Sequence, residues 1–200
     1  MPALVYIHGF LSSPRSSKAL NVEQWLQRQR PEMGYYCPFL SPYPNEVQER
    51  LESLVESLLP QPVYLMGSSM GGFWATYLVE KYNLRAVLIN PAVRPFEHMP
   101  AYIGKTLKNF HTDHTYCLQP AHIDELAKAD VAQITRSENY WLMVQTGDET
   151  LDYRQAVEKY RSCGQLVEPG GDHSFQNFEK WIPEAVTFLE TGRWPVSENL

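Results

Sequence analysis

Two kinds of hydrophobic segment alternate along the chain. Short unbroken apolar runs, beginning with Ala3-Leu4-Val5-Tyr6-Ile7, are followed by longer stretches with apolar residues at helical spacing. An unbroken run of this length marks a strand covered on both faces. Similar runs recur at Val63 to Met66, Arg85 to Ile89, Tyr140 to Thr146 and Gly164 to Val167. Tyr35 to Leu40 reads as a further strand, and Pro38 assigns it to a sheet edge because proline cannot donate to a ladder. The intervening spacing predicts a helix over Lys18 to Arg28, with Leu20, Trp25 and Leu26 inward. A second helix, N-capped by Asn45, runs to Leu59 with Val47, Leu51, Leu54, Val55 and Leu58 at helical spacing. Others follow Gly71-Gly72 to about Lys81, and span Tyr153 to Arg161 and Phe175 to Leu189. In the last, Phe178, Trp181, Ile182, Val186 and Leu189 face inward. Such strand–helix repetition implies a mainly parallel sheet with helices on both faces, an α/β fold.

Val93 to Asn139 interrupts the alternation with no clear strand, four histidines and scattered aromatics. It is too long for an ordinary connection and is expected to carry its own helices or cover a site. The tail from Thr191 is polar and expected to be loosely held.

At 200 residues, 44% hydrophobic and 20% charged, the chain has the composition of a single globular domain. Its net charge of -6 gives no electrostatic grip on nucleic acid. Cys37, Cys117 and Cys163 are widely spaced and form no C-x-x-C pair, so reduced thiols in a cytoplasmic protein are expected. No basic leader precedes a long apolar core, and no apolar run approaches the roughly 20 residues of a membrane span. His111 and His114, with Asp113 between them, and His122 lack a further ligand at recognisable spacing. No metal and no cofactor are expected.

Gly67-Ser68-Ser69-Met70-Gly71 changes this picture, because it joins an apolar strand to an apolar-faced helix. It fits G-x-S-x-G, the elbow that holds a nucleophilic serine on a strained strand-to-helix turn. Gly67 and Gly71 are needed where strand and helix backbones pass too close for a Cβ. In parallel sheets, functional residues gather beyond the C-terminal strand ends, so partners of Ser69 should also follow strands. Asp148 follows Tyr140 to Thr146, and His173 follows Gly164 to Val167. A serine hydroxyl needs a base to take its proton, and a carboxylate to orient that base and stabilise its charged form. Asp152, one helical turn beyond Asp148, is the alternative acid, and Glu149 adjoins. An oxyanion would be held by the backbone N–H of Met70, after the nucleophile, and by that of Phe10 after the first strand. Gly9 permits close approach of this loop, and His8 is placed to orient it.

These residues resemble an α/β-hydrolase, and more narrowly the small bacterial esterases of the YqiA/YcfP group. The resemblance rests on Tyr6-Ile7-His8-Gly9-Phe10-Leu11-Ser12-Ser13-Pro14, Gly67 to Gly72, Gly147-Asp148-Glu149 and Gly171-Asp172-His173-Ser174-Phe175, from residue 3 to about 189. It implies a compact α/β-hydrolase fold of about six mostly parallel strands, without the antiparallel strands that usually precede the first. It also implies a serine esterase or thioesterase acting on small acyl substrates, with Ser69, Asp148 and His173 in the catalytic roles. Residues 93–139 would then form a cap insertion on a single domain. Phe96, Met99, Tyr102, Ile103, Leu107, Phe110 and Tyr116 are available there for an acyl pocket, though most are expected to pack the cap onto the sheet. Arg15 and Lys18 lie near the oxyanion loop, where solvation is their expected role. Two other readings stay open: a hydrolase-fold binding protein without turnover, and the same triad acting on amides or peptides. Oligomeric state is also open.

Overall fold

The computed structural model describes residues 1–195. Its centre is a six-stranded sheet in the order β2-β1-β3-β4-β7-β8, with every pairing parallel. The strands are β1 (Ala3–Ile7), β2 (Gly34–Tyr36), β3 (Val63–Ser68), β4 (Arg85–Ile89), β7 (Tyr140–Gln145) and β8 (Gly164–Glu168). Side chains alternate between two cores, as the two-residue period of a strand requires. Ala3, Val5 and Ile7 of β1 face one core while Leu4 and Tyr6 face the other. β4 divides likewise, with Ala86 and Leu88 on one side and Val87 and Ile89 on the other. Helices α2 (Pro44–Leu58), α3 (Met70–Tyr82) and α5 (Tyr153–Lys159) cover the first face; α1 (Ser17–Gln29) and α6 (Ile182–Thr191) cover the second.

β2 occupies an edge, consistent with Pro38, but it stops at Tyr36, before that proline. Strand order reverses beside β1, whose neighbours β2 and β3 lie on opposite sides. This reversal opens a crevice beyond the carboxyl ends of β1 and β3.

Several expectations are corrected. Leu20 is 37% exposed, because a helix begun at Ser17 buries Ala19, Val22 and Leu26 instead. Pro44, with its preset φ and no N–H to satisfy, takes the start of α2, so Asn45 is inside the helix. The last helix starts later than Phe175, since Phe175 and Asn177 adopt positive φ. A 3₁₀ turn at Phe178–Trp181 then leads into α6. The tail is also held as far as it is described: the Trp194 indole covers Gly164 and donates to Tyr140 O at 3.0 Å. The expectation of a loose tail at residues 196–200 lies outside the described residues.

Residues 93–139 contain an unexpected antiparallel ribbon, β5 (Thr106–Lys108) with β6 (Thr115–Cys117), and then α4 (Pro120–Ala129), which packs on α2. His122 Nδ1 accepts from Gln119 N–H at 3.0 Å and so caps α4. His114 packs edge-on against Phe39 and Tyr116. Among the described residues, no helix is long and apolar enough to cross a membrane.

Candidate active site

Ser69 stands between β3 and α3 with φ 56° and ψ −121°, a conformation that costs a non-glycine residue about 1–3 kcal/mol. Both ends of the residue are pinned. Its N–H donates to Ile89 O at 3.0 Å, while its carbonyl accepts from Gly72 and Ala92 N–H, both at 2.9 Å. A Cβ on Gly67 would overlap the Gly71 carbonyl, and one on Gly71 would overlap the Ile7 carbonyl. The two glycines therefore let α3 leave directly across the ends of β3 and β1.

Ser69 Oγ lies 3.0 Å from His173 Nε2. The other ring nitrogen, His173 Nδ1, is 2.8 Å and 3.0 Å from the two Asp148 carboxylate oxygens. Asp148 Oδ1 also accepts from Thr150 N–H at 2.9 Å and Leu151 N–H at 2.8 Å. Its side chain is 1% exposed, against 23% for His173. Burial raises the Asp148 pKa, but the hydrogen bonds from His173, Leu151 and Thr150 outweigh it and leave the group below its ordinary value. Asp152, by contrast, has a side chain 48% exposed and accepts from Arg154 N–H at 3.1 Å as the N-cap of α5. Glu149 Oε2 accepts from the His173 N–H at 3.0 Å and tethers the backbone of that loop.

Phe10 and Met70 line a cavity of about 270 Å³ beside Ser69. Among the described residues, neither backbone N–H donates to another protein group. Met70 N–H also belongs to the positive end of α3. Gly9 brings its loop so close that a Cβ there would stand 3.3 Å from Ser69 Cβ.

Buried His8 fixes this loop. Leu40 N–H donates to its Nε2 at 3.1 Å, so that nitrogen carries no proton; its Nδ1–H donates to Gly9 O at 2.9 Å. Burial lowers the His8 pKa, assisted by His111 and opposed by the bond to Gly9. A histidine whose folded pKa is depressed contributes stability above its ordinary value of 6.5, lost as pH falls through the folded value. His8→Gln is therefore expected to flatten the acid side of a plot of melting temperature against pH. Thermal unfolding of both proteins between about pH 7 and about pH 5 checks this.

Of the seven insertion residues offered for an acyl pocket, Met99 and Tyr102 line the cavity. Leu107 is buried in the core, Phe96 packs against it, Ile103 bridges to Leu118, Tyr116 packs on Tyr43 and Phe110 is 76% exposed. Lys18 is not merely solvated, since its Nζ donates to Ser174 O at 2.5 Å. Burial pushes its pKa down to about 8, against the pull of Asp172 and Asp148.

Two buried amides escaped the sequence reading. Asn90 Nδ2 donates to Asp172 O at 3.0 Å and His173 O at 3.1 Å, while its Oδ1 accepts from Gln145 N–H at 3.0 Å. Gln145 Oε1 accepts from Asp172 N–H at 3.2 Å and Gln176 N–H at 2.8 Å. The loop carrying His173 is thus tied to the ends of β4 and β7. The available signal was a polar residue closing each otherwise apolar strand.

A model of the Uncharacterised protein family (UPF0227) matches residues 3–190. The chain belongs to this family. This UPF0227 chain is also similar to solved structures. Alpha/beta hydrolase domain-containing protein 10 from mouse is 16% identical, with 94% of this chain and 90% of that chain covered and a TM-score of 0.73. Est1E from Butyrivibrio proteoclasticus is 15% identical over 96% and 88% of the two chains, with a TM-score of 0.69. A monoacylglycerol lipase from Paleococcus ferrophilus is 15% identical over 96% and 95%, at 0.68. At such identities the likeness is one of fold, and the UPF0227 chain has the α/β-hydrolase fold.

Proposed function

We propose that the chain is a serine hydrolase of small acyl esters or thioesters, working through an acyl-enzyme on Ser69. The observation that carries the reading is the continuous hydrogen-bonded line from Ser69 Oγ through the His173 ring to a buried Asp148. His173 Nε2 takes the hydroxyl proton as Oγ attacks the acyl carbon. Asp148 holds the proton on Nδ1 and stabilises the imidazolium that forms. Phe10 and Met70 N–H groups receive the negative charge on the former carbonyl oxygen. The tetrahedral intermediate collapses, and the leaving alcohol or thiol departs with the proton from Nε2. Water, deprotonated by the same nitrogen, then releases the acid and restores Ser69. In this reading residues 93–139 act as a cap, with Met99 and Tyr102 closing the pocket over Ser69.

The test is hydrolysis of p-nitrophenyl butyrate by the wild-type chain, with Ser69→Ala as the comparison. Esterase turnover that depends on Ser69 supports the proposal, and its absence in folded protein contradicts it. Asn90→Ala extends the test to the loop that presents His173. Losing both donors to that loop is expected to lower kcat by about tenfold or more with little change in KM, since a misplaced base costs rate. It also leaves buried polar groups unpaired, so stability should fall by about 1–3 kcal/mol. Steady-state kinetics and urea unfolding separate the two effects.

A further inference from the structure

The turn that presents His173 is strained, and the sheet supplies only part of what holds it. Phe175, two residues on, has φ 60°, a left-handed conformation that a non-glycine residue keeps only where its surroundings impose it. The peptide between Ser174 and Phe175 is fixed at both ends. Its N–H donates to Asp172 O at 3.0 Å, and its carbonyl accepts from Lys18 Nζ at 2.5 Å. Among the described residues, no backbone N–H donates to that carbonyl. Asn90, Gln145 and Glu149 bind Asp172, His173 and Gln176 in the same loop but leave Ser174 O to Lys18. Lys18 reaches it from the first turn of α1, 156 residues away in the chain, and is half-buried there.

We infer that Lys18 is a positioning residue for the reaction on Ser69: its ammonium fixes the Ser174 carbonyl, and with it the turn that sets His173 Nε2 against Ser69 Oγ. It does not line the cavity beside Ser69, so it acts through His173 and not on the substrate. The carboxylates of Asp172 and Asp148, on the loops after β8 and β7, attract its charge. Asp172 Oδ1 is buried with no hydrogen-bond partner among the described residues, which leaves negative charge for the ammonium to offset. The other ionisable groups around it have different engagements. Glu149 accepts from His173 N–H, Lys180 pairs with Glu168 at 2.8 Å, and Glu179 is exposed on the 3₁₀ turn that packs on α1. Arg15, before α1, is exposed, and Glu23, further along it, acts on Tyr35 and Cys37.

Desolvation outweighs both carboxylates and pushes the Lys18 pKa down to about 8, so the ammonium loses its proton at mildly alkaline pH. A lysine depressed in this way contributes stability above its ordinary value of 10.5, lost as pH falls through the folded value. Activity lost as pH rises through about 8 is therefore lost positioning, not unfolding driven by Lys18.

This inference rests on the esterase reading, and the experiment separates the two. The measurement is kcat and KM on p-nitrophenyl butyrate from about pH 6.5 to about pH 9.5, for the wild type, Lys18→Met and Lys18→Arg. Wild-type kcat should fall as pH rises through about 8. Lys18→Met should lower kcat by about tenfold or more at the acid end with KM changed by less than about twofold, because the base is misplaced while the pocket is intact. The ratio of wild-type to Lys18→Met kcat should then narrow as pH rises and the wild type loses its own ammonium. Lys18→Arg stays charged throughout, so its kcat should not fall near pH 8.

A ratio that is the same at every pH overturns the inference, because a merely structural side chain would give that result. So does a fall near pH 8 that persists in Lys18→Arg, since the titrating group would lie elsewhere. A level wild-type kcat across the range overturns it without any variant. No wild-type turnover at any pH overturns the esterase reading itself, whereas turnover with an unmoved profile overturns only the role of Lys18.

Discussion

Ser69→Ala is expected to lower kcat/KM on p-nitrophenyl butyrate by at least about a thousandfold, with the fold retained. The size follows from what remains. Phe10 and Met70 N–H groups still polarise the carbonyl and the pocket still binds the ester, but no group can form the covalent intermediate. Stability should change little or rise, because alanine carries no hydroxyl and His173, 23% exposed, can turn its Nε2 to water. The positive φ persists in either residue, pinned by Ile89 O, Gly72 N–H and Ala92 N–H. Circular dichroism and initial rates on the same preparations provide the measurement. A variant that is folded and fully active would remove Ser69 from the chemistry.

Asp148→Asn should have an effect of comparable size, a fall in kcat of about a thousandfold to ten-thousandfold. Asparagine preserves the shape, but its amide N–H can donate to Nδ1 and turn the imidazole into the tautomer that places a proton on Nε2. Such a ring cannot take the Ser69 proton. Asp152→Asn is the paired control. Its side chain caps α5, and asparagine keeps an oxygen that can accept from Arg154 N–H, so stability should change by no more than a few tenths of a kcal/mol, about the scale of an exposed charge at a helix N-terminus, with kcat within severalfold of wild type. The reverse ranking would exchange the two acids. Asp148 also has a thermodynamic signature. Its folded pKa lies below its ordinary value of 3.8, so the ionised group stabilises the fold above that value. This contribution disappears as pH falls through the folded value, and Asp148→Asn should lack that part of the acid unfolding profile.

Legibility in the sequence followed burial. β1, β4 and β7 could be read because each is apolar on both faces, which leaves an unbroken run. β5 and β6 could not, since three residues carry too little alternation to distinguish a strand from a loop. The late start of α6 depends on left-handed Phe175 and Asn177, and nothing in the local spelling marks phenylalanine for that conformation. At the candidate site, the positions of Ser69, Asp148 and His173 after their strands were readable because a parallel sheet gathers such loops at one end. What supports those loops was not readable. Asn90 and Gln145 look like punctuation at strand ends, and Lys18 looks like a solvated charge, until the loop from Asp172 to Gln176 is seen folded back onto them. Met99 was indistinguishable from six other apolar insertion residues because only the tertiary fold separates pocket wall from packing.

The most direct measurement of the central claim is covalent titration of the wild-type chain with an alkyl fluorophosphonate, followed by peptide mass spectrometry. In this reaction Ser69 Oγ displaces fluoride from phosphorus, a step that requires the activated hydroxyl but no knowledge of the natural substrate. One phosphonyl group per chain is expected, on the peptide containing Ser69, with esterase activity lost in proportion to labelling. Activity that survives complete labelling of Ser69, or that disappears while Ser69 stays unmodified, would contradict it.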